Sequence, residues 1–171
     1  FTEKGSAMTD SRHDPRARPE ADTGYAATAI QKTALIVGIV FLLVGIAGFI
    51  PGLTQNVDQL HGAGTHSEAL LLGVFQVSVL HNIVHLLFGA GGIAAAVRAV
   101  PSRNYLIWGG VVYIALWVFG LFAVHAPDVN FVPVNEADNW LHLGLAVGMI
   151  LLGIVVGRDR SARTGGTRPV S

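Results

Sequence analysis

The chain has 171 residues, of which 51% are hydrophobic and 13% charged, with eleven basic and eleven acidic side chains and a net charge of zero. Soluble domains carry about a quarter of their residues as charges, so the composition points to lipid as the surrounding medium, and the length leaves room for one domain of at most four or five crossings of about 20 residues each. There is no cysteine, which removes disulfides, thiolate metal sites and cysteine nucleophiles and leaves histidine and carboxylates as metal-ligating groups; the balanced charge and the lack of any motif argue against nucleic acid as a partner.

In chain order, residues 1–25 are polar, carry Pro15 and Pro19, and read as a disordered cytoplasmic tail. Residues 1–7, before Met8, read as a cloning scar or an upstream read-through. Four apolar runs follow, predicting helices over about 30–50, 68–97, 104–124 and 138–157 within a transmembrane domain of residues 26–157. Pro51-Gly52 ends the first, and a signal-peptide reading of that run is disfavoured by its length and by the lack of an Ala-x-Ala pattern after it. Ser67 is the expected N-cap of the second helix, with Glu68 in its first turn. Pro101 is expected in the turn before the third, whose Tyr105 and Trp108 suit a membrane interface. Asn135 and Asp138 form a capping start for the fourth, with Trp140 at the interface, and Gly157-Arg158 closes it. Residues 158–171 read as a basic, disordered cytoplasmic tail held against lipid headgroups. Backbone groups find no water in hydrocarbon, so these runs must be helices, and the predicted fold is all-α, a four-helix transmembrane bundle.

Lys4, Arg12, Arg16, Arg18 and Lys32 precede the first helix, Arg98 and Arg103 lie between the second and third, and Arg158, Arg160, Arg163 and Arg168 follow the fourth. The other two loops, about 51–74 and 125–139, contain no Lys or Arg. Basic residues stay in the cytoplasm during insertion, so this one-sided distribution predicts both termini inside.

The polar residues within the spans are the candidates for function. Ser78, His81 and His85 share one helical sector with Gly89, Gly92 and Ala96, and Asn82 lies beside it. Asn139, His142, Ala146, Met149, Gly153 and Gly157 form a similar sector on the fourth helix, and both faces are expected to look into the bundle. Three readings follow. In the first, the imidazoles are neutral, hydrogen-bonded to Asn82, Asn139 and Ser78, and set helix register in a non-enzymatic structural or accessory membrane subunit. In the second, His81, His85 and His142 hold haem or a divalent metal in a redox protein; the stretch from His81 to His85 lacks the Glu of zinc peptidases, which argues against hydrolysis. In the third, Gln76, Ser78, Asn82 and Asn139 with the three histidines line a small-molecule or proton-relay pocket open to the outer face. Asp58, His61, His66, Glu68, His125, Asp128, Glu136 and Asp138 read as solvated loop residues. Gly144 and Gly148 form a small-x-x-x-small pair on another side of the fourth helix, available to a second copy or a membrane-complex partner.

The stretches from Phe41 to Gly52, from Gly73 to Gly89 and from Phe131 to Gly144 resemble the actinobacterial membrane proteins grouped as domain-of-unknown-function family 4383 (DUF4383). The resemblance covers about 31–158. It implies a small four-helix protein of the bacterial plasma membrane and brings no activity, cofactor or catalytic residue with it.

Overall fold

The computed structural model describes residues 24–163, with side chains to Arg158. It contains α1 (Ala29–Ala47), β1 (Thr54–Gln55), β2 (Leu70–Leu71), β3 (Phe75–Gln76), α2 (Val79–Ala95), α3 (Ala99–Ala123) and α4 (Glu136–Arg163). Three helical stretches, Ala29–Ala47, Ala99–Ala123 and Glu136–Arg158, are long and apolar enough to cross a membrane, and Val79–Ala95 is a shorter apolar helix. The expected tails lie largely outside the described residues. The part of the second tail that is described, as far as Arg163, continues α4.

Two antiparallel hairpins, α1–α2 and α3–α4, account for most of the helix–helix contact. Each is held by small residues that admit a neighbouring backbone. A Cβ on Gly38 would stand 2.7 Å from the Gly89 carbonyl oxygen and 2.8 Å from the Ile93 nitrogen; one on Gly110 would stand 2.9 Å from the Ala146 oxygen and 3.2 Å from the Ile150 nitrogen. The hairpins meet over a core of Ile30, Phe41, Leu106, Tyr113, Ala146 and Met149, with Phe88 packed against it. Gly144 and Gly148 take no part, since a Cβ on either meets open space.

The end of the bundle that carries Lys32, Arg98, Arg103 and Arg158 is tied by side-chain caps. Thr28 and Gln31 form a capping box at the start of α1, and the buried Gln31 amide also donates to the Ala96 carbonyl at the end of α2 (2.9 Å). The Ser102 hydroxyl donates to Ala95 O at 2.9 Å. These bonds satisfy carbonyls that a helix C-terminus leaves free.

The opposite end departs from expectation. The second helix begins at Val79, not at residue 68: Leu70–Gln76 forms a β-hairpin whose turn residues Leu72 and Gly73 have φ of 53° and 73°, which no helix accommodates. Thr54–Gln55 adds a third antiparallel strand. Ser78 is the N-cap, accepting from His81 N at 3.1 Å, and the next free amides of α2, Val79 N and Leu80 N, donate to the carbonyls of His61 and Gly62 at 2.9 Å each. Ser67 does not cap the helix; its hydroxyl donates to Val77 O at 2.6 Å within the small sheet. The third helix also starts earlier than predicted, at Ala99, with Pro101 in its first turn, where a missing N–H costs nothing. The predicted capping start of α4 is present: Asp138 N donates to Asn135 Oδ1 at 2.9 Å and Asn135 N to Asp138 Oδ2 at 3.0 Å.

Candidate functional site

His81, Asn82, His85, Asn139 and His142 are all buried, with Asn82 2% exposed and His142 3%. They lie in the first two turns of α2 and α4, at the sheet-bearing end of the bundle. The rings of His81 and His85 stack at 4.7 Å between centroids, His142 lies 6.3 Å from His81, His85 packs on Phe41 at 5.6 Å and His142 on Tyr113 at 5.3 Å. Phe41 and Tyr113 stack on each other at 5.6 Å, so the five rings close into a circuit. Beneath it, Phe88 meets Phe41 and Tyr113 edge-on, and the Tyr105 hydroxyl donates to Phe88 O at 3.2 Å. Phe88 and Tyr105 thus continue the aromatic packing from the cluster toward the end of the bundle that carries Arg103.

Polar satisfaction is incomplete. His85 Nδ1 lies 3.0 Å from the His81 carbonyl, which makes Nδ1 the donor and leaves Nε2 as the acceptor. His81 Nδ1, Asn82 Nδ2, Asn139 Oδ1 and His142 Nδ1 are buried with no hydrogen-bond partner. The register-setting scheme, which needs the imidazoles bonded to Asn82, Asn139 and Ser78, therefore leaves these atoms unexplained, and the Ser78 hydroxyl is already taken by the α2 cap.

Among the described residues no three His, Asp or Glu side chains form a group that could hold a metal ion. The imidazoles stack on one another and on aromatic rings rather than converging on one point. Gln76 is not part of the cluster. It lies on β3, where its side chain donates to Ser67 O at 2.8 Å and its backbone N–H donates to Asp138 Oδ2 at 3.0 Å. With Asn135 Nδ2 donating to Val74 O at 2.7 Å and Gly64 N to Phe131 O at 2.8 Å, that bond clasps the sheet of the first hairpin to the start of the second.

The two hairpins repeat one design. Asn82-x-x-His85 on α2 matches Asn139-x-x-His142 on α4, each preceded four residues upstream of the Asn by its cap, Ser78 or Asn135. The amide of Asn82 presses on Gly48 and that of Asn139 on Gly120; Gly38 and Gly110, ten residues earlier on α1 and α3, admit the matching backbone at Gly89 and Ala146. Phe41 and Tyr113 are equivalent, and so are their contacts with His85 and His142. The pattern breaks at His81, whose counterpart is Asp138. Tyr113, Gly48 and Gly120 were not among the residues singled out from sequence, where the repeated Asn-x-x-His was the available signal; Asp138, read there as a solvated loop residue as well as a cap, is instead buried, because its carboxylate takes the Gln76 amide of the sheet in addition to its capping bond.

A protein-family model described as a domain of unknown function, DUF4383, matches residues 31–155. The chain belongs to the DUF4383 family. No curated protein and no solved structure matches it. For this DUF4383 protein the buried polar cluster is thus the feature from which a function has to be argued.

Proposed function

We propose that the chain is a multi-pass protein of the bacterial plasma membrane with both termini in the cytoplasm, and that its polar cluster is a non-enzymatic, outward-facing site for water and a small polar solute. The one-sided placement of Lys and Arg supports the orientation. The observation that carries the site is the set of four partnerless atoms, His81 Nδ1, Asn82 Nδ2, Asn139 Oδ1 and His142 Nδ1. A buried polar atom left unsatisfied costs about 1–3 kcal/mol, so four kept dry would cost on the order of the whole 5–15 kcal/mol stability of a typical domain. Polar partners from solution remove that cost. The layer of Phe41, Phe88, Tyr105 and Tyr113 beneath the cluster supports binding rather than passage across the membrane.

The test is nitrogen-15 NMR of histidine-labelled protein in lipid nanodiscs. Ring N–H groups of His81 and His142 that exchange with water within seconds are the expected result; rings protected for hours would make the cluster dry and overturn the reading. An absorption spectrum with elemental analysis of the purified protein decides the competing reading, because a Soret band or a stoichiometric metal would replace the solute site with a cofactor site at His81, His85 and His142.

A further inference from the structure

We propose that the tip of the β2–β3 hairpin, Leu72 and Val74 together with Leu53, inserts into the headgroup region of the membrane leaflet on that side and anchors the small sheet to lipid. The turn between Leu71 and Val74 has positive φ at both central residues, Leu72 at 53° and Gly73 at 73°, and is closed by Val74 N donating to Leu71 O at 3.1 Å. This mirror-image turn favours Asn-Gly, because asparagine tolerates the left-handed region and leucine does not. Leucine nevertheless stands there with its side chain 64% exposed, beside Val74 at 50% and Leu53 at 44%. Packing within the protein does not account for it, since Leu71, Ala69 and Val77 supply the inward face of the sheet. A strained position kept by an outward-facing apolar residue points to a function for that side chain.

Lipid is the occupant that the surroundings select. Leu72 N donates to Leu53 O at 2.7 Å, and Leu53 continues the exposed apolar surface of Leu43, Ile46, Phe49 and Ile50 along and beyond α1. The tip is thus tied through Leu53 to a chain segment whose exposed residues are apolar from Leu43 to Leu53. Neither 49–57 nor 69–80 contains a charged residue, so nothing in these segments holds them away from the apolar edge of the leaflet. Apolar side chains gain by leaving water, and interfacial elements bury them to a depth of about 5–10 Å.

This inference rests on the membrane-spanning reading, and the experiment separates the two. The chain has no cysteine, so single cysteines at Leu72, Val74, Val129 and Val147 can each carry a bimane fluorophore. The labelled proteins are reconstituted into phosphatidylcholine vesicles, with iodide on both sides as the aqueous quencher and a nitroxide on the upper acyl chain as the lipid quencher. Val147, on the exposed wall of α4, should be quenched by lipid and Val129, in the 125–135 loop, by iodide; failure of the Val147 control would count against the spanning reading itself. Leu72 and Val74 should follow Val147, with lipid quenching at least about twice that of Val129 and iodide quenching correspondingly weaker. Iodide access equal to that of Val129 would place the hairpin in water and overturn the proposal. Shielding from both quenchers would mean that a protein, such as a second copy of the chain, covers the tip, and would overturn it as well. Val74→Cys leaves the Leu72-Gly73 turn intact and serves if Leu72→Cys disturbs it.

Discussion

The side-chain amide of Asn82 lies so close against Gly48 that a methyl group on the glycine would overlap it. Asn139 stands in the same relation to Gly120. Each contact fixes a polar side chain of one helix against the backbone of its hairpin partner, and glycine at 48 and 120 is what lets the asparagine stay buried.

Gly48→Ala and Gly120→Ala should therefore each destabilise the protein by about 1–3 kcal/mol, the usual cost of forcing extra volume into a packed site. Thermal unfolding in detergent measures the loss. Gly144→Ala and Gly148→Ala, where a Cβ meets open space, are the controls and should leave melting unchanged or raise it slightly through better helix propensity.

Asp138 accepts from both Gln76 N and Asn135 N. Asp138→Ala removes the acceptor of both part-buried amides and should cost about 1 kcal/mol for each hydrogen bond lost. Hydrogen exchange at Gln76 should quicken most, because its bond ties the sheet to α4. Unchanged exchange at Gln76 would show that the clasp does not hold the sheet.

Histidine replacement separates a hydrated site from a structural one. If the partnerless atoms of His81 and His142 are served by solvent, His81→Leu and His142→Leu should change stability by no more than about 1 kcal/mol, in line with the small net worth of polar contacts in membrane bundles. Loss of water exchange at the remaining ring should accompany the change. A drop beyond about 2 kcal/mol in both variants would mean that the imidazoles hold the helices together.

Cysteines at His66 and Val129, both exposed on the loops without Lys or Arg, should react in intact cells with a membrane-impermeant maleimide, while a reporter fused after Ser171 should signal from the cytoplasm. Protection of both cysteines would refute the orientation.

The helices were legible because long apolar runs bounded by Pro51, Arg98 and Arg158 have the length and composition of membrane-crossing helices. The start of α2 was not. Leu70–Val77 is as apolar as the helix that follows, and a short apolar run does not distinguish strand from helix by its pattern; the backbone angles at Leu72 and Gly73 decide it. The histidines and asparagines stood out as polar groups within apolar sequence, and their burial follows from that placement. Their hydrogen bonding was not readable, because it depends on which acceptors the loops have already used: Ser78 is committed to the α2 cap and Gln76 to Asp138 and Ser67. Tyr113 was hidden among other aromatic residues of α3 and is marked out only by its stacking on Phe41 and His142.

The matched halves divide their labour at one position. Phe41 and Tyr113, equivalent in the two hairpins, stack on each other where the hairpins meet. His81 completes the circuit of rings, whereas Asp138, its counterpart, accepts from Gln76 N and so binds the second hairpin to the sheet of the first.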